Sequence, residues 1–261
     1  MPDALHVAKT GLNALQEKMS VISNNLANVN TLGFKRDRAN FETLLYQNVR
    51  DAGAQTSQST QLSTGYEVGT GVRIVSTDKL FKQGNIVNTD NSLDLTINGE
   101  GFFQLLMPNG QIAYTRAGNF SKDSTGKLVS QSGYPLEPAI TIPTNATSIN
   151  IGSDGIVSVA IPGQTKLSQV GQIELASFPN NPGLKAQGEN LLTATSSSGD
   201  PVVAVPGSGS NGTLLQGSLE SSNVNVVEEL VNMIETQRAY EVNSKAISAV
   251  DGMMRFLTQN T

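Results

Sequence analysis

The chain has 261 residues, 38% hydrophobic and 15% charged, with a formal net charge of -5 at pH 7. That length supports one large domain or two to three small ones with a real core, and the acidic balance supplies no basic field for nucleic acid or an anionic membrane surface. With no cysteine there can be no disulfide, thiolate metal site or cysteine nucleophile, and no apolar run reaches the roughly 18 residues that a spanning helix needs.

The first element is a helix. Apolar residues fall at Leu5, Ala8, Leu12, Leu15, Met19, Ile22, Leu26 and Val29, in alternating steps of 3 and 4 that make a strict heptad seam. Pro2 is tolerated at a helix start. The pattern stops at Asn28-Val29-Asn30-Thr31-Leu32-Gly33, where Asn and Gly can supply a C-cap. The N-terminus has neither a basic leader nor an unbroken apolar stretch, so a conventional signal peptide is not expected.

After a connecting region over 34–67, whose stretch 46–64 is polar, rich in Gln, Ser and Thr and without periodicity, the texture becomes β. The stretch 46–64 reads as flexible or extended. Leu93-Asp94-Leu95-Thr96-Ile97 alternates apolar and polar, and Gly101-Phe102-Phe103-Gln104-Leu105-Leu106 follows as a second strand. Turn residues recur at Pro108-Asn109-Gly110, Ser124-Thr125-Gly126, Ser132-Gly133 and Asp154-Gly155. Short strands with such turns predict an antiparallel meander or small barrel-like domain over 68–205, then a return connection over 206–223.

A second long helix closes the chain over 224–261. Asn225 followed by Glu228 reads as a start of capping-box type, with Asn in place of Ser or Thr. Val226, Leu230, Met233, Tyr240, Ile247 and Met254 hold one seam, with Val227, Ile234, Val250 and Leu257 beside it. Gln237, Ser244 and Asp251 interrupt that seam. The predicted fold class is therefore α+β: terminal helices pairing as a coiled coil around a central antiparallel β domain with an extended hairpin-like stretch. A helix pair buries one side of each helix, which falls short of the entropy of ordering both ends. The ends are thus expected to be largely disordered in the dilute monomer and to fold on assembly with copies of the chain.

Catalytic readings find little support. His6 is the only histidine and lies beside Leu5 on the terminal helix, so a nucleophilic triad has no frame. Gly207-Ser208-Gly209-Ser210-Asn211-Gly212 matches G-x-G-x-x-G, yet Pro206 precedes it and no helix pattern follows. Asp94, Glu100, Asp123 and Asp154 could in principle pair for glycoside cleavage, which keeps a cell-wall-cleaving enzyme as an alternative. No metal-ligand set and no cofactor motif is present, so neither is expected.

The two ends also carry a resemblance. The run Ser23-Asn24-Asn25-Leu26-Ala27-Asn28-Val29-Asn30-Thr31-Leu32-Gly33-Phe34-Lys35-Arg36 resembles the N-terminal signature of bacterial flagellar rod and hook proteins. Ser222-Asn223-Val224-Asn225 onward, through Gln237-Arg238-Ala239-Tyr240-Glu241, resembles that family's C-terminal signature. Between them, Gln83-Gly84-Asn85, Asn98-Gly99-Glu100-Gly101-Phe102-Phe103 and Tyr114-Thr115-Arg116-Ala117-Gly118-Asn119-Phe120 extend the likeness over essentially the whole chain. The stretch from Tyr46 to Ser63 resembles the extended segment of distal rod subunits, with proximal rod and hook components as the alternatives.

The resemblance implies a structural, non-enzymatic subunit of a rigid tubular homopolymer in the periplasm. It would carry torque from the motor to the hook and leave an export channel. The terminal helices would form the inner tube and the β domain the outer wall. Implied partners are copies of itself, proximal rod and hook proteins at the two ends, the surrounding cell-wall and outer-membrane rings, and the flagellar type III export apparatus. The stretch 46–64 would form a hairpin between neighbouring subunits that stiffens the rod, beginning at Tyr46, with Gly53 and Gly65 permitting the sharp backbone changes at its tip and base.

Overall fold

The computed structural model of the chain has two long helices, α1 (Pro2–Ala27) and α2 (Val226–Gln259), with its strands between them, an α+β fold. It describes residues 2–53, 55–57, 60–61, 63–163 and 166–259, apart from the side chains of 2–4, 55–57, 60–61 and 257–258. Leu257 of the expected second seam thus has no described side chain. No helix is long and apolar enough to cross a membrane among the described residues.

Two compact units divide the chain. The first gathers Met1–Leu26, Asp37–Asp78 and Asn225–Thr261; the second gathers Ala27–Arg36 and Lys79–Val224.

In the first unit, α1 is the heptad segment, and Thr10 anchors it. The Thr10 hydroxyl accepts the Val72 N–H at 3.3 Å, beside Gly71, where any Cβ would collide with it. The helix α2 begins at Asn225, whose side-chain oxygen accepts the N–H groups of Val227 (3.0 Å) and Glu228 (3.4 Å). Glu228 and Glu229 place negative charge in its first turn, where the exposed amides favour it. Strand Asp37–Thr43 pairs with Val72–Lys79, bridged by Arg38–Asp78 (2.9 Å) and Arg73–Glu42 (3.0 Å).

Residues 46–64, read from sequence as flexible or extended, contribute to paired strands. Gln47–Arg50 pairs antiparallel with Tyr66–Val68, and Gln55–Ser57 pairs with Thr60–Gln61. The outer ladder forms without a buried face, since Gln47–Arg50 is exposed throughout. Backbone hydrogen bonding, which composition does not reveal, supplies the order.

The second unit is built on a seven-stranded sheet. Its strands run in the spatial order Lys185–Gly188, Leu191–Thr193, Ile112–Thr115, Phe102–Leu106, Leu175–Ser177 and Val202–Ala204, with Leu136–Glu137 also on Phe102–Leu106. Every pairing in this sheet is antiparallel. The period-two alternation of a strand puts Phe103 and Leu105 into one core with Leu95, Ile97, Leu128, Leu136 and Leu175. Phe102 and Tyr114 point into a second core with Phe178, Leu184 and Leu192. Residues 213–220, expected as part of a connection, instead form two strands. Thr213–Gln216 pairs with Leu95–Asn98, and Ser218–Glu220 with Ile86–Asn88. Both pairings span more than a hundred residues of sequence, which local pattern cannot anticipate.

Phe103 is fully buried and meets the Phe120 ring edge-on at 5.1 Å. Phe103→Ala is expected to cost about 3–5 kcal/mol. Urea unfolding followed by near-UV circular dichroism should show this, while Val202→Ala at the exposed sheet edge stays within about 0.5 kcal/mol of the parent.

Candidate functional site

Motifs far apart in sequence converge in the second unit on one carboxylate. Glu220 lies at the end of strand Ser218–Glu220 with 1% of its surface exposed. The Lys35 Nζ donates to Glu220 Oε1 at 2.6 Å, and Arg116 Nε lies 3.4 Å from Oε2. The Gly84 N–H donates to the same Oε1 at 2.9 Å. Both cations have further acceptors: Lys35 donates to the Lys82 carbonyl at 2.9 Å, and Arg116 to the carbonyls of Gly101 (2.9 Å) and Gly99 (2.7 Å). Arg116 also stands over the Phe102 ring at 5.8 Å.

Local backbone explains why these groups reach one another. Gly33 has φ +69°, and a Cβ there would lie 2.6 Å from the Ala117 backbone nitrogen, so only glycine lets the segment 31–36 lie against 115–117. The Gly33 N–H donates to the Glu220 carbonyl at 2.9 Å. Asn223 fastens the other side: its oxygen accepts the Arg36 N–H at 2.7 Å, and its amide donates to the carbonyls of Leu80 (2.7 Å) and Lys82 (2.9 Å). Phe34, 7% exposed, lies beneath Lys79 at 5.1 Å, and Asn190 donates to the Leu32 carbonyl at 2.9 Å.

Burial pulls the Lys35 ammonium below its usual range, with Glu220 opposing and Arg116 adding to the shift. Burial likewise lowers Arg116, against the pull of Glu220 and then Glu100. The cluster holds two cations and one anion out of water, so removing the anion leaves like charges facing each other. Sequence reading named Lys35 and Arg116 only as motif letters and did not single out Glu220. The available signal was a charge set against glycine or apolar neighbours in each motif: Phe34-Lys35, Arg116-Ala117-Gly118 and Leu219-Glu220.

All but one of the residues expected in the helix seams lie in the first unit. On α1, Ile22 is buried, while Leu5, Ala8, Leu12, Leu15, Met19 and Leu26 are half-buried. Val29, past the helix end and in the second unit, is half-buried too. On α2, Met233, Ile247 and Met254 are half-buried, whereas Val226 (39%), Leu230 (42%) and Tyr240 (38%) are exposed. Glu229 and Thr236, at 1% and 2%, occupy the covered side of α2 instead. The covered line is set one residue from the Leu230 line, so Gln237, Ser244 and Asp251 do not interrupt it.

The signature amides divide between the units. Asn25, 1% exposed, accepts the Asp37 N–H (2.8 Å), donates to the Asp37 carbonyl (2.8 Å) and reaches Glu229 Oε2 (3.4 Å). Asn24 reaches the Asp37 carboxylate at 3.4 Å. Asn28 receives the Thr31 hydroxyl at 3.2 Å in the helix-ending turn, and Asn30 is exposed beside it. Gln237 and Arg238 are exposed on α2, with Arg238 paired to Glu241 at 3.2 Å. In the hairpin, Tyr46 is 58% exposed and Gly53 has φ +83°. At Gly65 a Cβ would lie 2.9 Å from the Arg50 carbonyl oxygen, leaving room for glycine alone.

The turn carboxylates are engaged locally. Asp94 accepts from Thr89 (2.6 Å) and Asn91 (3.0 Å), Asp123 from Thr125 and Lys127, and Asp154 from the Ile156 N–H (3.2 Å). Glu100 is exposed. A cavity of about 490 Å³ is lined mainly by amides, hydroxyls and leucines, with Glu189 its one charged residue. Among the described residues no cluster of His, Asp and Glu could hold a metal ion.

Three family descriptions match in chain order: flagella basal body rod protein at residues 5–35, flagellar hook protein FlgE/F/G D1 domain at 96–159, and flagellar basal body rod FlgEFG protein C-terminal at 215–260. The flagellar basal-body rod protein FlgG of Buchnera aphidicola subsp. Schizaphis graminum is 55% identical over 259 residues, 99% of this chain and 100% of the relative. The chain belongs to the flagellar basal-body rod protein family. The FlgG protein of Caulobacter vibrioides is 48% identical over 257 residues, 98% of each chain. The FlgF protein of the same organism is 32% identical over 252 residues, 94% of this chain and 92% of that one. The family's N-terminal match ends at Lys35 and its C-terminal match includes Glu220, so the buried ion cluster ties the two matched ends to the middle.

Glu220→Leu is expected to lower stability by about 3–5 kcal/mol, because Lys35 and Arg116 then remain buried without their counter-charge. Loss of the exposed Arg238–Glu241 pair in Arg238→Ala should cost under about 1 kcal/mol. Urea midpoints of the two full-length variants compare these outcomes directly.

Proposed function

We infer that the chain is a structural subunit of the distal rod of the bacterial flagellar basal body. The rod is a helical tube that carries torque through the periplasm to the hook and leaves a channel for export. The observation that carries this reading is end-to-end identity to FlgG proteins, well above the identity to the FlgF protein of one and the same organism. Its partners are copies of itself, the proximal rod and hook proteins at its ends, the surrounding rings and the type III export apparatus. The protein acts by position and stiffness, not by chemistry. The local engagement of Asp94, Asp123 and Asp154 in their own turns supports that non-enzymatic reading.

In this reading α1 and α2 pair as an antiparallel coiled coil and line the inner tube. Support comes from apolar side chains that α2 leaves in water, among them Val227 (70%), Ile234 (57%), Val242 (66%) and Phe256 (68%). At about 25 cal/mol per Å² of apolar area, covering such side chains with neighbouring copies favours assembly over the free monomer. Residues 1–33 and 224–261 act as the tube-forming segments, 68–205 as the β domain, and 34–67 and 206–223 as the connections between them.

Hydrogen exchange read by mass spectrometry tests the assembly. Protection at residues 5–30 and 224–258 is expected in concentrated, pelleted material and not in dilute monomer; equal protection in both would overturn assembly-coupled folding. Deleting residues 46–64 should leave a polymer that forms but bends more easily, read as a shorter persistence length in electron micrographs. A deletion polymer as straight as the parent would remove the stiffening role of the hairpin.

A further inference from the structure

Among the described residues, α1 meets α2 at two points that are polar or small. Asn25 donates to Glu229 Oε2 at 3.4 Å, and a Cβ built on Gly11 would lie 3.4 Å from Asn243 Nδ2. Gly11 to Asn25 and Asn243 to Glu229 are both steps of fourteen residues, taken in opposite chain directions. The helices are therefore antiparallel in a single register over two heptads. Midway, that register sets Lys18 opposite Thr236. Thr236 is 2% exposed, its hydroxyl donating to the Asn232 carbonyl of its own helix at 2.6 Å, and Lys18 is half-buried, as residues of a covered line must be.

We propose that these three layers, Asn25 with Glu229, Lys18 with Thr236 and Gly11 with Asn243, form a lock that selects one register for the helix pair. The large apolar residues of α1 cannot do this. Leu5, Leu12, Met19 and Leu26 repeat every seven residues, so a slide of one heptad presents an equivalent apolar surface. The polar layers are not equivalent under that slide. Moving by one heptad sets Asn243 against Lys18 in place of the small Gly11, and draws the buried Glu229 carboxylate away from the Asn25 amide. A polar residue in a helix seam that fixes register at a cost in stability is a known physical device. Asn25 is held firmly enough to act in this way, because both of its side-chain polar atoms already bind the backbone of Asp37.

The inference concerns the packing of α1 on α2 wherever both helices are folded, whether or not the polymer is a rod, and it is therefore read on the concentrated protein. The protein has no cysteine, so introduced pairs report position cleanly. Two full-length double variants place thiols in register: Gly11→Cys with Asn243→Cys, and Lys18→Cys with Thr236→Cys. Two others match a one-heptad slide: Lys18→Cys with Asn243→Cys, and Gly11→Cys with Val250→Cys. A thiol-to-thiol linker shorter than the displacement of about 10 Å is then applied to the concentrated protein. Intrachain product is separated from interchain dimer in denaturing gels.

The in-register pairs are expected to give about tenfold more intrachain product, the preference that one satisfied polar layer worth roughly 1.4 kcal/mol provides. Adding Asn25→Leu and Glu229→Leu to the Gly11/Asn243 and Gly11/Val250 pairs should bring their yields close together. Equal yields in the otherwise native chain would overturn the proposal, as would a tenfold preference that survives both leucine substitutions. If the leucine variants fail to fold, the comparison in the native chain still decides.

Discussion

A carboxylate with almost no exposure is costly to keep ionised, and Glu220 is kept between Lys35 and Arg116, two cations that are nearly as buried. The three residues come from the beginning, the middle and the far end of the second unit's chain segments. None meets its opposite charge until the others arrive. The carbonyls of Gly99, Gly101 and Lys82 and the amide of Gly84 complete the shell, so closing the cluster also positions the loops that carry those groups. The surrounding sheet can be assembled from apolar alternation, but its attachment to residues 31–36 depends on this one set of charges and on the clearance at Gly33.

That arrangement suits a subunit whose task is mechanical. A buried ion cluster contributes less net stability than an apolar core of the same volume, yet it is unforgiving of displacement, because any opening exposes charge without partners. Asn223 and Asn190 add hydrogen bonds with fixed geometry to the same region. Unlike an apolar contact, such bonds cannot slide. The second unit thus lays directional polar contacts over two hydrophobic cores.

The helical unit follows a related logic with weaker packing. The covered line of α2 carries Glu229, Thr236 and Asn243, so its apolar residues are left to the flanks and to solvent. Under the assembly proposed above, further copies against those flanks would supply the missing burial.

Both helices, their approximate limits, the cap at Asn225 and the β texture between them were legible in the sequence. Each rests on short-range rules: the spacing of apolar residues along α1, the preference of Asn for a helix start, and turn residues at strand ends. Family membership was legible too, because motifs such as Gly33-Phe34-Lys35 and Tyr114-Thr115-Arg116 are contiguous. What only the tertiary structure decided was long-range. It paired 213–220 with 86–98, paired Gln47–Arg50 with Tyr66–Val68, set the covered side of α2 on Glu229 and not Leu230, and brought Lys35, Arg116 and Glu220 together. A one-residue rotation of a helix face, or a salt bridge across 185 residues of chain, leaves no local trace. It depends on which surfaces meet, and that is settled by packing and desolvation over the whole fold.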